Sequence, residues 1–401
     1  MRITTNMIYN RNISALTSTN ERLSTAYEQL MTGDRFKTAG EDPSAMGQKL
    51  ELTNEIELFK QYTVNGGLLE NSLAHEETIV SALNEAMMSA TTLIQKSNNA
   101  SMGQGEREAI ANELTGLQKQ MFDLINTKNS QGEYIFGGNK NMTPPYARDA
   151  AGVYQFQGDT GQRLLQVSPT VMIEASDNGM DLFESIATRR TASATTANMT
   201  VMVKEQSQYD SFFASTYKPS GTNLFTVTTT TGTPDQYTIT DPGGAVLQTG
   251  DYKSGESVAF QGLELTLSVP AGGTAQTFKL DAPKNDNILN GLEQYITDLK
   301  DPNLTPSQFR DSVADVTSHI QNARLRMDRA QGDIGARMNG LSQAMASNSA
   351  LDSFNQDVRA KVSEVDLYRV ISDLSKEDAA LTASQLSFSK ISKLTLFDYI
   401  R

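Results

Sequence analysis

The sequence predicts a mainly α-helical protein with an inserted β domain. The N- and C-terminal segments form a long antiparallel helical rod or coiled coil, followed inward by a small β-hairpin region and an all-β outer domain. Three observations carry this. Of the 11 prolines, ten lie between Pro144 and Pro306 and the other is Pro43. A proline costs about 3 kcal/mol inside a helix, so the flanks are free to be helical and the middle is not. Both ends carry apolar residues seven apart: Leu16, Leu23 and Leu30 at one, and Leu367, Leu374, Leu381 and Phe388 at the other. That spacing keeps one seam of a helix turned toward a partner helix. Between about 205 and 282 the chain is rich in Thr and Gly, and Leu263, Leu265, Leu267 and Val269 alternate with polar residues as one half-buried strand.

Taken in order, residues 1 to about 33 read as one helix whose other faces are Ser, Thr, Asn and Gln, so it is marginal alone in water. Thr32-Gly33 is a helix stop, and Asp42-Pro43 supplies the cap and first residue of the next helix. That helix carries Leu52, Ile56, Phe59, Leu69, Leu73, Leu83 and Met87, is weakened by Gly66-Gly67, and ends near Met102. A third helix, from about Glu106 to Lys128, has the cleanest amphipathic stripe: Ile110, Leu114, Leu117, Met121 and Leu124. Glu133–Gly138, Val153–Phe156 and Arg163–Val167 read as short strands, and the low-complexity Thr191–Ala197 as a linker or weak helix end. Further strands are expected at Leu224–Thr229, Tyr237–Thr240 and Thr277–Leu280. Asn285–Asn287 caps a helix through Ile288, Leu292, Tyr295 and Leu299. From Phe309 to Arg401 the expectation is one long helical stripe, with Val313, Ile320, Met327, Ile334 and Leu341 as its first seam. Some 85 residues of helix extend about 130 Å, a length that suits a rod, a bundle or a polymer.

Composition narrows the function. The formal net charge of −13 disfavours nucleic acid and anionic membranes as partners. The absence of cysteine excludes disulfides, thiolate metal sites and cysteine nucleophiles. Met1–Asn10 lacks the apolar run of a signal peptide, and no stretch approaches the ~20 apolar residues of a membrane span. The only histidines, His75 and His319, sit in amphipathic helices with no accompanying ligand set, so neither a metal nor a cofactor is expected. Gly103-Gln104-Gly105 lacks the third glycine of a phosphate loop, and Ser387-Phe388-Ser389-Lys390 lacks the companion motifs of Ser-x-x-Lys enzymes. Arg324, Arg326 and Arg329 lie among Asp328 and Asp333 and read as a solvated, salt-bridging face. No nucleophile, base and pocket assemble, so no enzyme is expected. The heptads alone fit an ordinary intramolecular bundle as well as an assembly seam.

The segment Leu30-Met31-Thr32-Gly33-Asp34-Arg35-Phe36-Lys37-Thr38-Ala39-Gly40-Glu41-Asp42-Pro43-Ser44-Ala45 resembles the turn of the bacterial flagellin family, with Gly33, Arg35, Asp42 and Pro43 on its motif and Glu41 where Asp is commoner. Three further features resemble the hook–filament junction branch of that family more than filament subunits. They are Gly132–Gly138 with Pro144-Pro145-Tyr146; Phe260-Gln261-Gly262-Leu263-Glu264-Leu265-Thr266-Leu267 with Pro270 and Phe278; and the C-terminal Leu396-Phe397-Asp398-Tyr399-Ile400, after which Arg401 is a departure.

The resemblance implies a structural protein of the flagellum, exported unfolded and uncleaved by the flagellar type III apparatus. It passes transiently through the cytoplasm and ends outside the cell. It implies a ring of copies of itself between the first hook-associated protein and the flagellin filament, with a cytoplasmic export chaperone on roughly Val358 to Ile391. On this reading 1–43 and 360–401 form a terminal coiled-coil core domain, disordered before assembly. Residues 44–190 and 284–359 form a helical rod domain with β hairpins, and 191–283 an outer β domain. A flagellin filament subunit and a stalked β-domain adhesin are the alternatives.

Overall fold

The computed structural model describes residues 5–99 and 102–397. Helices α1 (Thr5–Thr32), α2 (Pro43–Ser97) and α3 (Gln104–Ile125) come first. The short strands β1 (Tyr146–Arg148), β2 (Tyr154–Phe156), β3 (Leu164–Ser168) and β4 (Val171–Glu174) follow, then a π-helical turn at Met180–Glu184. Next come β5 (Ile186–Ala187), β6 (Ala192–Ala194), β7 (Met199–Val203) and α4 (Gln206–Thr216). The run of strands β8 (Leu224–Thr230), β9 (Gln236–Thr240), β10 (Val246–Asp251), β11 (Ser257–Phe260), β12 (Leu263–Leu267), β13 (Gln276–Leu280) and β14 (Asn285–Asp286) leads to α5 (Ile288–Lys300), α6 (Pro306–Ser363) and α7 (Leu367–Phe397).

The chain divides into two compact units: Met1–Leu68 with Gln166–Met172 and Gly340–Arg401, and Leu69–Leu165 with Ile173–Asn339. The boundaries expected at 43/44 and 359/360 both fall inside the first unit. In that unit the N-terminal half of α2 lies antiparallel to the C-terminal half of α6. Asn355 Nδ2 donates to Glu55 Oε2 at 2.8 Å, while further along Gly66 lies under the sulfur of Met345. Gly66-Gly67 therefore does not interrupt α2; a Cβ at Gly66 would sit 2.9 Å from that sulfur, so the glycine permits close helix packing. The tip of the β3–β4 hairpin is tied to both helices: Asn65 Nδ2 donates to the Gln166 carbonyl at 2.9 Å, and Asn348 Nδ2 to the Val167 carbonyl at 2.6 Å.

The second unit holds the main helical core. The stripe Val313, Ile320, Met327 and Ile334 of α6 is buried, as are Leu69, Leu73, Leu83 and Met87 of α2 and Ile110, Leu114 and Met121 of α3. Helix α5 begins where Asn287 caps it, its side chain accepting the Leu289 N–H at 2.7 Å, and buries Ile288, Leu292, Tyr295 and Leu299. Gln118 on α3 donates to the Leu289 carbonyl at 2.9 Å, and Gln104 donates to the Lys300 carbonyl at 3.2 Å, so α3 and α5 run antiparallel. The β region of the same unit has a five-stranded antiparallel sheet in the order β10-β9-β8-β13-β6 and a three-stranded sheet in the order β11-β12-β7. Phe225, Ile239, Leu265, Leu267 and Phe278 from the two sheets share one core with Tyr209 and Phe213 of α4.

Four expectations need correction. The C-terminal stripe is two helices, broken between Ser363 and Leu367. The two heptad series are out of phase, since Leu341 and Leu367 are not separated by a multiple of seven, and a straight helix cannot serve both. Thr191–Ala197 is no linker: Ala192–Ala194 pairs with β13, held by Thr191 and Ser193 hydroxyls donating to the Asp281 carboxylate. Glu133–Gly138 is turns around a single bridge from Lys128 to Tyr134, because its glycines approach other backbone too closely for a ladder. The arginines on α6 bond differently from the expected salt-bridging face: Arg324 donates to Asn84 and Arg326 to the Asp181 carbonyl.

Phe260-Gln261-Gly262-Leu263 forms a two-residue hairpin with φ of 49° at Gln261 and 82° at Gly262, the conformation a tight turn of this hand requires. A Cβ on Gly262 would stand 2.5 Å from the Glu205 carbonyl oxygen. Gly262→Ala should therefore cost about 2–4 kcal/mol of stability, read as a lowered urea midpoint. Gly332→Ala, on an open face of α6, should instead be neutral or add up to about 1 kcal/mol in the same assay.

Candidate assembly interface

The terminal helices meet through a short stretch of paired backbone. Helix α1 stops at Thr32 because Gly33 takes a φ of 74° while its N–H bonds the Gln29 carbonyl at 2.9 Å. The chain then runs beside the break between α6 and α7. Arg35 N–H donates to the Ser363 carbonyl at 2.7 Å, and Val365 N–H to the Gly33 carbonyl at 2.9 Å, around an antiparallel bridge from Asp34 to Glu364. Asp366 caps α7, accepting the Tyr368 N–H at 3.0 Å.

The turn is braced on its other side. Asp42 accepts the Ala45 N–H at 3.0 Å as the cap of α2, with Pro43 as first helical residue, and its second oxygen pairs with Arg35 at 3.0 Å. Phe36 is buried, with the Arg35 guanidinium 5.4 Å and the Lys49 amine 5.8 Å from its ring centre, and Lys49 pairs with Asp34 at 2.8 Å. Lys37 is hydrogen-bonded to Glu28, which raises its amine above the ordinary lysine value. The motif residues Gly33, Arg35, Asp42 and Pro43 thus occupy one continuous turn.

From this turn α1 and α7 run antiparallel: Arg22 pairs with Glu377 at 3.1 Å, and Tyr9 meets Phe388 with ring centres 5.3 Å apart. The inward row of α1 is Asn12, Leu16, Thr19, Leu23, Ala26 and Leu30, spaced alternately four and three residues apart. That of α7 is Val370, Leu374, Glu377, Leu381, Ser384 and Phe388. Leu16, Leu23, Leu30, Leu374, Leu381 and Phe388 are half-buried. Leu367 is not in the row. It is the first residue of α7, 50% exposed, and the row begins a turn later with Val370, which is buried. Thr19, Glu377 and Ser384 carry no apolar signal, and only their spacing from the leucines could have found them. Beside the row, Tyr27, Met31, Tyr368 and Ile371 are each at least half exposed.

Of the C-terminal motif, Leu396 and Phe397 end α7, while Asp398, Tyr399 and Ile400 lie outside the described residues. His319 is buried, its Nε2 3.3 Å from the Asp286 carbonyl; burial lowers its pKa, and Gly291 leaves room for its ring. Among the described residues no group of three His, Asp or Glu side chains is placed to hold a metal ion, and no helix is long and apolar enough to cross a membrane.

The profile of the bacterial flagellin N-terminal helical region matches residues 3–141. Over those residues the chain is similar to the flagellin family. This flagellin-type region takes in α1, the Gly33–Pro43 turn, α2 and α3. The chain is 27% identical over 207 residues to the flagellar hook-associated protein 3 of Escherichia coli. The match covers 51% of this chain and 64% of that relative, just under two thirds of the relative's length. Its fold is shared with the flagellar hook-associated protein-3 of Legionella pneumophila, at a TM-score of 0.60 and 21% identity, over 78% of this chain and 98% of that one. The flagellar junction protein FlgL from Legionella pneumophila gives 0.52 and 23%, over 73% and 97%.

Asp42→Ala removes both the α2 cap and the partner of Arg35 and should cost about 1 kcal/mol in urea unfolding. Asp42→Asn, which keeps a capping oxygen, should lose less than half of that in the same measurement, since the exposed ion pair contributes little.

Proposed function

We propose that this chain is a structural subunit of the bacterial flagellum that forms the junction ring between the first hook-associated protein and the flagellin filament. It assembles through its terminal helices after export as an unfolded chain. The observation that carries this is the thin, one-sided seam of α1 and α7. Among the described side chains only Thr19 and Ala26 of α1 and Val370 of α7 are buried, and the leucines of the row are half-covered. Two helices joined by one such row are marginal in water. The apolar residues on its flank, Tyr27, Met31, Tyr368 and Ile371, gain cover only from other molecules.

On this reading neighbouring copies supply that cover. Before assembly the terminal segments 1–43 and 360–401 are largely disordered, so ordering accompanies binding. In the cytoplasm an export chaperone covers the same apolar face, on roughly Val358 to Ile391. The likeness to relatives named hook-associated protein 3, and to a solved flagellar junction protein, supports the place in the flagellum.

A deletion strain tests the function. It should release filament protein into the medium without attaching it, and complementation with this chain should restore filaments. Loss of the filament subunit itself would point to a flagellin instead. In the purified monomer, limited proteolysis should trim the two terminal segments and spare the second compact unit. Leu374→Asp or Leu381→Asp should abolish motility by complementation assay while leaving the thermal transition of that unit in place.

A further inference from the structure

In the second unit, Glu76 of α2 is fully buried, yet its carboxyl group has only one hydrogen-bond partner. One oxygen accepts the Asp177 N–H at 2.7 Å, and the other, also buried, has none. The cation of this cluster is Arg337 of α6, which bonds the Asp177 carboxylate at 2.6 Å through Nη2; its Nη1 stands 4.0 Å from Glu174 and, like the second Glu76 oxygen, is buried without a hydrogen-bond partner. The charged groups facing Glu76 are therefore Glu174 of β4, Asp177 of the following loop and Arg337 of α6, with Asp333 one helical turn before Arg337 on the same side of Asp177. Three carboxyl groups share one guanidinium, and a fully buried anion with a free oxygen is costly.

The loop this cluster holds is a junction in its own right. Ser72 of α2 donates to the Ala175 carbonyl at 2.8 Å, and Gly179 N–H to the Phe136 carbonyl at 3.1 Å. Tyr146 Oη donates to the Gly179 carbonyl at 3.1 Å, and Asn178 Nδ2 to the Asp159 carbonyl at 2.6 Å. A Cβ on Gly179 would lie 2.7 Å from the Phe136 oxygen, so the fit is close on every side.

We propose that Glu76 is protonated in the folded protein and that the loop from Glu174 to Gly179 is a proton-dependent clamp on α2 and α6, which loosens when Glu76 ionises. A neutral carboxyl group accepts the Asp177 N–H without bringing an unpaired charge into the core. Ionised, it faces the Asp177 and Glu174 carboxylates with no cation of its own. Burial, followed by the nearby Asp177 charge, pushes Glu76 up to about 8. The folded value is above the unfolded one, so the stabilisation is full below the ordinary carboxylate range and is lost as pH rises through about 8.

Native-state hydrogen exchange of the full chain, corrected for the intrinsic rate, reads this directly. In the wild type, protection of amides 174–179 should fall by roughly tenfold per pH unit from about pH 5 to about 8 and level off above that. In Glu76→Gln it should stay flat, while Glu174→Gln, which leaves Glu76 buried, should keep a pH-dependent fall. Protection in the wild type that stays flat from about pH 5 to about 8, or an equal fall in Glu76→Gln, overturns the proposal. Should Glu76→Gln not fold, the wild-type exchange profile decides alone, together with carbon NMR of labelled glutamate. One side-chain carboxyl should titrate far above the others, and its absence is equally fatal.

Discussion

Two backbone hydrogen bonds join the beginning of the chain to its end. Gly33 and Arg35 pair with Val365 and Ser363, and both terminal helices leave from that point. The pairing requires α1 to stop in the left-handed conformation of Gly33 and α6 to stop at Ser363. Each helix break leaves unsatisfied backbone groups, and here one break satisfies groups of the other. The antiparallel direction of α1 and α7 and the match of Arg22 to Glu377 follow from where the two helices start. Asp42, Arg35 and Phe36 brace the same turn from the side of α2, so a short segment fixes three helices.

The two units differ in what holds them. In the second, apolar stripes are buried on α2, α3, α5 and α6, and buried polar groups such as Gln118, Asn178 and Asn287 are hydrogen-bonded. Burial at about 25 cal/mol per Å² makes that core the dominant source of stability. In the terminal seam the residues between the leucines are Asn12, Thr19, Glu377 and Ser384, which contribute little on burial. A surface of that composition is adhesive without being self-sufficient.

Much of this was legible from spacing and punctuation. The heptads of α6, the cap at Asn287, the stop at Gly33 and the start at Asp42-Pro43 all rest on local rules that the fold does not override. The break at 364–366 was legible too, in the phase difference between the series ending at Leu341 and the one beginning at Leu367, although neither Pro nor Gly marks it. Other features were not. Ala192–Ala194 becomes a strand only because β13 and Asp281 are there to receive it. The turns of 133–138 depend on close approaches to residues far along the chain, such as Gly138 to Asp159. Glu76 looks like any other glutamate of an amphipathic helix until its burial is known.

The strands β5 and β14 pair Ile186-Ala187 with Asn285-Asp286, immediately before and after the β region. Between them the chain leaves the helical core and comes back through one doorway about a strand spacing wide, ~4.8 Å, at which Arg189 also pairs with Asp311 and Asp315 of α6. Lengthening a segment whose two ends are already pinned together adds little closure entropy, because that cost grows only with the logarithm of its length. The outer part of this molecule is thus free to drift, shrink or be exchanged while the helices beneath keep their geometry. Variation in size can accumulate there without touching the turn at Gly33.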